Sequence, residues 1–220
     1  MVDELDIAPS ELGTKTYWDS RYEQELHNFE ECGDEGEIWF GRSAEKRIID
    51  FVKANVSSAA KILDLGCGNG SVLRRLRKHG YLNLTGVDYC PAAIELANRI
   101  AKEEDHEVDI SFKVLDVLST STDSPLDLYD VVLDKGTWDA MSLSNDRKSR
   151  LLTYKSFVTR SLSPSGQFVI FSCNFTKEEL LQMFEDGGCM KFQTEIPAAH
   201  SITFGGRQGV TSTGVVFELS

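Results

Sequence analysis

Short apolar runs alternate along the chain with stretches in which apolar residues recur at helical spacing. The apolar runs predict strands near residues 60–65, 83–88, 110–115, 129–134 and 167–172. Helical spacing predicts helices between them, near residues 70–79, near residues 91–104 and through residues 147–162. Strands and helices that alternate in this order are typical of an α/β domain with a doubly wound, mostly parallel sheet.

The two ends of the chain depart from this alternation. Residues 1–10 predict a disordered tail, and residues 11–55 predict a helical segment that precedes the first strand. Near the other end, apolar runs at residues 191–196 and 212–219 predict two last strands that pair as a hairpin. Residues 11–220 are therefore predicted to form one domain, which suits a chain of 220 residues.

Acidic residues are concentrated at the start of the chain. Residues 1–37 hold twelve Asp or Glu against two basic residues, a net charge of −10, whereas the whole chain carries −12. This distribution argues against a nucleic-acid surface, which is basic. It suits attraction to a basic protein partner, and equally a segment that only aids solubility. No apolar run is long enough to span a membrane, so no membrane contact is predicted.

The cysteines and histidines give no sign of a metal site. Five cysteines are scattered along the chain without a C-x-x-C pair, and four histidines lack the spacing of metal ligands. We therefore expect neither a disulfide framework nor a bound metal. Free cysteines suit a reducing compartment, so the predicted location is the cytoplasm, with the nucleus as an alternative.

The segment D-L-G-C-G-N-G at residues 64–70 carries the first candidate chemistry. It ends an apolar strand and leads into a predicted helix, so its glycines allow a tight turn and a close approach by a ligand. A dinucleotide motif would place its last glycine at position 71, which is Ser71. Asp88 ends the next strand, where a carboxylate can accept both hydrogen bonds of a ribose diol. A nucleoside-containing cofactor is therefore predicted, although glycine-rich turns also occur without a ligand.

Several motifs together resemble a known family. The glycine segment with Asp88 and Asp116 resembles class I S-adenosylmethionine-dependent methyltransferases. Four further motifs resemble the lysine methyltransferases of elongation factor 1-alpha within that class: Y-W-D-S-R-Y at 17–22, E-I-W-F-G at 37–41, D-K-G-T-W-D-A at 134–140 and S-C-N-F-T-K-E-E-L at 172–180. Together they cover nearly the whole chain.

The resemblance implies a fold, a reaction and partners. The implied fold is a Rossmann-like, seven-stranded, mostly parallel sheet with a C-terminal antiparallel hairpin. The implied reaction is methyl transfer from S-adenosylmethionine to a lysine of elongation factor 1-alpha, with S-adenosylhomocysteine as product and without a metal. The expected protein is a monomer that binds neither nucleic acid nor membrane.

Cofactor roles follow for particular residues. We expect the three glycines to lie against the donor, Asp64 to reach its ammonium, Asp88 to hold its ribose and Asp116 to take its adenine amino group. Val117 would supply a backbone N–H and Tyr89 an apolar wall, while aromatic residues would cover the methyl group. The cofactor-binding candidates are Trp18, Phe40, Asp64, Gly66, Gly68, Gly70, Asp88, Tyr89, Asp116, Val117 and Asp134, and Trp39 and Trp138 are further aromatic candidates.

Asp134 is the catalytic candidate, because it emerges where the fourth strand leaves the core. A carboxylate there would align an incoming amine that has lost its proton. Its alternative role is to cap the turn at Gly136, and the other carboxylates have similar alternatives in loop caps.

Rival functions remain open at this point. In one alternative, the chain methylates another protein or a small molecule. In another, it is a non-catalytic partner subunit that binds the cofactor. A nucleic-acid methyltransferase is disfavoured by residues 134–137, which lack the Asn/Asp-Pro-Pro-Tyr/Phe motif of that class. A nicotinamide dehydrogenase is disfavoured by Ser71.

Overall fold

The computed structural model describes residues 7–104, 110–119, 127–198, 202–204, 207–209 and 211–220. A short 3-10 helix, Glu11–Gly13, precedes the other elements. The described residues form seven α-helices: α1 (Lys15–Cys32), α2 (Gly41–Asn55), α3 (Ser71–Lys78), α4 (Pro91–Glu104), α5 (Thr137–Ser142), α6 (Arg147–Ser161) and α7 (Lys177–Glu185). They also form nine strands: β1 (Lys61–Leu65), β2 (Asn83–Asp88), β3 (Ser111–Val114), β4 (Tyr129–Lys135), β5 (Leu162–Ser172), β6 (Met190–Ile196), β7 (Ile202–Phe204), β8 (Arg207–Gly209) and β9 (Thr213–Leu219).

Seven of these strands form one sheet in the order β3-β2-β1-β4-β5-β9-β6. The first five run parallel to one another, and β9 lies antiparallel between β5 and β6. The predicted Rossmann-like sheet and its C-terminal antiparallel hairpin are therefore confirmed. The carboxyl ends of the parallel strands meet at one edge, which is where ligands bind on sheets of this type.

Alternate residues of the central strands enter two separate cores. Leu63, Val132 and Phe168 pack on one face of the sheet with α6 and α7. Ile62 and Leu133, their neighbours in the chain, pack on the other face with α2 and α3. Because both faces are covered, the central strands are mainly apolar, which explains why they stand out in the sequence.

The strand β5 begins earlier than its sequence predicts. Residues 162–166 were expected to form a helix end and a turn, but Leu162 already pairs with Tyr129 of β4. The register then shifts, and pairing resumes at Gln167 opposite Val131. Ser165 adopts a left-handed φ of 62°, so the predicted turn is an irregularity within the strand.

The N-terminal segment differs partly from the predicted disordered tail. Residues 1–6 of that tail lie outside the described residues. Further along, the Ser10 backbone N–H donates to the Leu143 carbonyl over 3.0 Å, and Arg147 donates to the Ile7 carbonyl. Residues 7–10 are therefore held against α5 and α6. None of the helices in the described ranges is both long and apolar enough to cross a membrane.

Candidate active site

The turn after β1 requires glycine at two positions. Gly66 has a φ of 65° and Gly68 a φ of 53°, a region that other residues rarely adopt. A Cβ at Gly66 would lie 2.0 Å from the Thr137 Oγ1, and one at Gly68 would lie 2.3 Å from the Tyr22 hydroxyl oxygen. The turn is therefore closed tightly between α5 on one side and α1 on the other.

Asp88 ties this turn to the end of β2. Its Oδ2 accepts from the Gly68 N–H over 3.1 Å, and its Oδ1 accepts from the Cys90 N–H over 2.9 Å. Burial raises the pKa of Asp88 to about 6, while these two backbone hydrogen bonds oppose the rise. Each carboxylate oxygen keeps a further lone pair, so Asp88 can still accept from the two hydroxyls of a ribose.

A cavity opens over this edge of the sheet. It extends from the end of β2, across the glycine turn, to the ends of β4 and β5, and residues 37–40 and α1 close it from above. Seven of the predicted site residues line it: Trp18, Phe40, Gly66, Gly68, Asp88, Tyr89 and Val117. The structure thus brings together the glycine turn, Asp88 and part of the aromatic set.

Two predicted cofactor residues lie away from the cavity. Gly70 begins α3, and a Cβ there would lie 2.5 Å from the Phe112 Cζ, so this glycine serves core packing. Asp116 accepts from the Leu118 N–H and the Ser119 hydroxyl, each over 2.9 Å. It lines a separate surface depression on which Tyr89 also borders. Neither residue lines the cavity in this structure, and their contacts with the donor stay predictions.

The contacts of Asp134 favour its alternative role, which is to cap a turn. Its side chain is fully buried, and its Oδ1 accepts from the Thr137 N–H over 2.9 Å. Its Oδ2 accepts from the Trp138 N–H over 3.0 Å and from the Tyr154 hydroxyl over 2.5 Å. Burial raises the pKa of Asp134 to about 7, and the hydrogen bond from Tyr154 is the main opposing cause. The carboxylate caps α5 beneath the cavity, so it does not reach an incoming amine.

Asp64 is buried and does not line the cavity, so its contact with the donor stays a prediction. Burial raises the pKa of Asp64 to about 7, and the charge of Lys135 opposes that rise. The Lys135 Nζ donates to the Trp39 carbonyl over 2.9 Å, while burial lowers the pKa of Lys135 against the charges of Asp64 and Glu45. Lys135 therefore balances buried carboxylates and holds the aromatic wall in place.

The aromatic candidates divide between wall and core. The Trp18 Nε1 donates to the Leu12 carbonyl over 2.7 Å, and the Trp18 and Trp39 rings cross with centroids 4.8 Å apart at the cavity. Trp138 is only 2% exposed and packs against Phe184 with ring centroids 4.7 Å apart. Trp138 is therefore a core residue, which corrects its predicted place over the donor.

Sequence reasoning missed the carboxylate of Asp139, which also lines the cavity. Its Oδ1 accepts from the Ser172 hydroxyl over 2.5 Å, and its Oδ2 accepts from the N–H groups of Cys173 and Asn174 over 2.6 and 3.1 Å. Burial raises the pKa of Asp139 to about 6. Its position within the motif at 134–140 was the signal in the sequence that could have identified Asp139. Its hydrogen-bond partners belong to the motif at 172–180, which lies next to it only in the folded chain.

Comparisons with known proteins agree with this geometry. A family model described as a methyltransferase domain matches residues 56–205. The chain belongs to the methyltransferase domain family. Among solved structures, the N-methyltransferase NodS from Bradyrhizobium japonicum, in complex with S-adenosyl-L-homocysteine, has a TM-score of 0.65 at 18% identity. That likeness covers 92% of this chain and 98% of NodS.

Curated relatives of this methyltransferase domain are similar over nearly its whole length. EEF1A lysine methyltransferase 2 from Danio rerio is 44% identical, across 97% of this chain and 90% of that protein. Protein-lysine N-methyltransferase EFM4 from Saccharomyces cerevisiae is 39% identical, across 96% of each chain. The similarity therefore includes the N-terminal helices as well as the sheet.

The residues of this methyltransferase domain fit S-adenosylmethionine. Asp88 offers acceptors to a ribose diol, and Tyr89 and Val117 give apolar walls to a flat base. The carboxylates of Asp88, Asp139 and Glu37 line the cavity together with the cation Lys135, and the three carboxylates suit a ligand with a sulfonium and an ammonium group. Within the described ranges, no three His, Cys, Asp or Glu side chains lie close enough together to hold a metal ion.

The titration of Asp88 predicts a pH dependence of donor binding. Its pKa of about 6 means that the carboxylate gains a proton as the pH falls through that value. Because the protonated acid attracts a cationic ligand less and accepts fewer hydrogen bonds, we expect the Kd to be constant near pH 7 and to rise below pH 6, by at most about tenfold per pH unit. Calorimetry between pH 5 and 7 measures this, and Asp88→Asn should remove most of the dependence.

Proposed function

We propose that this chain is an S-adenosylmethionine-dependent protein-lysine N-methyltransferase and that its substrate is elongation factor 1-alpha. The observation that carries the proposal is the 44% identity, over 97% of the chain, with a protein named EEF1A lysine methyltransferase 2. The cavity supports it, because the glycine turn and Asp88 give a nucleoside a place to bind.

The cofactor end of the cavity is formed by residues of β2 and of the segment after β3. Asp88 would accept hydrogen bonds from the ribose hydroxyls there, and Tyr89 and Val117, which also line the cavity, would flank the base. S-adenosylmethionine supplies an electrophilic methyl group on a positively charged sulfur. Lys135 also lines the cavity, and its charge and that of the buried Asp64 stabilise each other.

The acceptor lysine must lose a proton before it reacts, since its ammonium has no free lone pair. The aromatic walls of Trp18, Trp39 and Phe40 exclude water and so favour the neutral amine. The amine nitrogen then forms a bond to the methyl carbon as the carbon–sulfur bond breaks, with the electron pair left on sulfur. The extra proton on nitrogen passes to water. Positioning provides much of the acceleration in such a displacement.

The acidic N-terminal segment supports a basic partner. Glu37 lies on the cavity wall with a side chain that is 51% exposed, although Arg21 pairs with it over 2.9 Å. The net charge of −12 suits a protein partner better than a nucleic acid. We propose the cytoplasm as its location, since free thiols at all five cysteines suit a reducing compartment.

Mass spectrometry of unmethylated elongation factor 1-alpha tests the proposed function. After incubation with the enzyme and isotopically labelled S-adenosylmethionine, we expect the label on a lysine of the factor. The Asp88→Ala variant is the matched control and should transfer little label at low donor concentration. Label on other proteins alone, with none on the factor, would contradict the proposed substrate while leaving the methyltransferase activity in place.

A further inference from the structure

The strand order separates the cavity into two halves. Asp88 and Tyr89 lie at the end of β2, whereas Cys173 and Asn174 lie just beyond β5, on the other side of β1 and β4. Strands in a sheet are about 4.8 Å apart, so the two sides are roughly 14 Å apart. If the nucleoside takes the β2 half, as proposed, an acceptor that meets its methyl group has to enter from the β5 half.

Several polar side chains of the cavity wall have hydrogen-bond partners, whereas the Trp39 Nε1 is buried without one among the described residues. The Asn69 Nδ2 donates to the Glu35 carbonyl over 2.9 Å, and the Thr137 Oγ1 donates to the Leu65 carbonyl over 2.7 Å. Asn174 differs from them, because no hydrogen bond within the described part of the chain involves its side-chain amide. That amide is exposed at the β5 half of the cavity and is free to bind a ligand.

The backbone at Asn174 is held firmly although its side chain is free. Its N–H donates to the Asp139 Oδ2 over 3.1 Å and to the Ser172 Oγ over 3.2 Å. Ser172 in turn donates to Asp139 and is fully buried, and the Phe175 N–H donates to its hydroxyl over 3.0 Å. A turn fixed in this way needs no further ordering of its backbone when a ligand binds the amide.

We infer that Asn174 binds the ε-amino group of the acceptor lysine and that Asp139 is the positioning residue that holds Asn174 at the cavity. The inference rests on the proposed function and specifies its acceptor side. An amide oxygen suits this task, because it accepts from an amine N–H without carrying a charge. A carboxylate in the same place would stabilise the ammonium and so delay the loss of its proton.

Steady-state kinetics with elongation factor 1-alpha test this inference. For Asn174→Ala we expect kcat/KM for the protein substrate to fall about 10- to 100-fold, the range for a lost hydrogen bond to a charged or reacting group. The Kd for S-adenosylmethionine should stay within about twofold of the wild-type value, because the β2 half of the cavity is unchanged. Asn55→Ala is the matched control, since Asn55 ends α2 and its amide bonds only the Phe51 carbonyl.

Two more variants separate a direct contact from a structural one. Asn174→Asp should shift the pH profile of kcat/KM to higher pH, because the new carboxylate raises the pKa of the bound amine. Asp139→Asn should lower kcat/KM as Asn174→Ala does, and the double variant should lose little more than either single variant. Unchanged kcat/KM in Asn174→Ala, or an equal loss of donor affinity, would overturn the inference while the proposed function stands. A wild-type enzyme without activity on the factor would overturn both.

Discussion

Alanine in place of Asp88 is expected to weaken S-adenosylmethionine binding about a hundredfold, which corresponds to roughly 3 kcal/mol. The substitution removes a carboxylate that we place on the ribose hydroxyls. It also leaves the Gly68 and Cys90 N–H groups without their acceptor, so the glycine turn loses its tie to β2. Calorimetric titration of the purified variant with S-adenosylmethionine measures the effect.

Asp116→Ala is the matched control for this experiment. Asp116 also follows a strand of the same sheet edge, but its carboxylate bonds Leu118 and Ser119 outside the cavity. We expect its Kd for the donor to stay within about threefold of the wild-type value, since the Asp116 carboxylate does not line the cavity in this structure. Equal affinity in Asp88→Ala and wild type would show that the nucleoside binds elsewhere, and a large loss in Asp116→Ala would show that the adenine reaches Asp116 after all.

The fold and the cofactor half of the site could be predicted from the sequence because both depend on residues that are close together along the chain. A buried parallel strand is mainly apolar, so β1, β2 and β4 are visible as short apolar runs with an Asp at or next to the last residue of the strand. The turn after β1 depends on φ values that glycine adopts, and Asp88 ends the strand beside it. Chain position alone therefore brings the glycine turn and Asp88 together.

The direction in which a side chain points at the end of a strand could not be predicted from the sequence in this way. Asp88 and Asp134 both end apolar strands, yet Asp88 lines the cavity and Asp134 is buried below it. The difference depends on Tyr154, which reaches Asp134 from α6, and on the start of α5 above it. Such partners come from packing between elements, which the local pattern does not contain.

The positions of the aromatic residues, and of the residues in the β5 half of the cavity, could not be predicted from the sequence either. Trp39 and Trp138 occupy equally specific motifs, but one lies on the cavity wall and the other in the core. Asn174 and Asp139 belong to motifs that are separated along the chain, and their contact needs β4 and β5 to be neighbours. The sequence identifies the motifs to which these residues belong. The order of the strands in the sheet determines which of the residues are in contact.

Alanine in place of Asp134 is expected to destabilise the fold by about 3 kcal/mol near pH 5, because three donors then lose a buried acceptor. These donors are the N–H groups of Thr137 and Trp138 and the hydroxyl of Tyr154. The carboxyl titrates near pH 7 in the folded state and near pH 4 when unfolded, so the folded state holds its proton more tightly. The contribution of Asp134 to the free energy of unfolding of the wild type therefore falls as the pH rises from about 4 to about 7. The Asp134→Ala variant lacks this pH dependence.

Urea unfolding at pH 5 and pH 8 measures both parts of this prediction. The difference in the free energy of unfolding between wild type and Asp134→Ala should be larger at pH 5 than at pH 8. At pH 8 the Asp134 carboxylate is charged, and the cost of burying that charge offsets part of the stabilisation from its hydrogen bonds. Tyr154→Phe removes one donor and keeps the carboxylate, so it should cost less, about 1 kcal/mol. If Asp134→Ala instead remained fully stable but lost methyl transfer, Asp134 would act on the acceptor directly, and its place as the cap of α5 would not explain its presence.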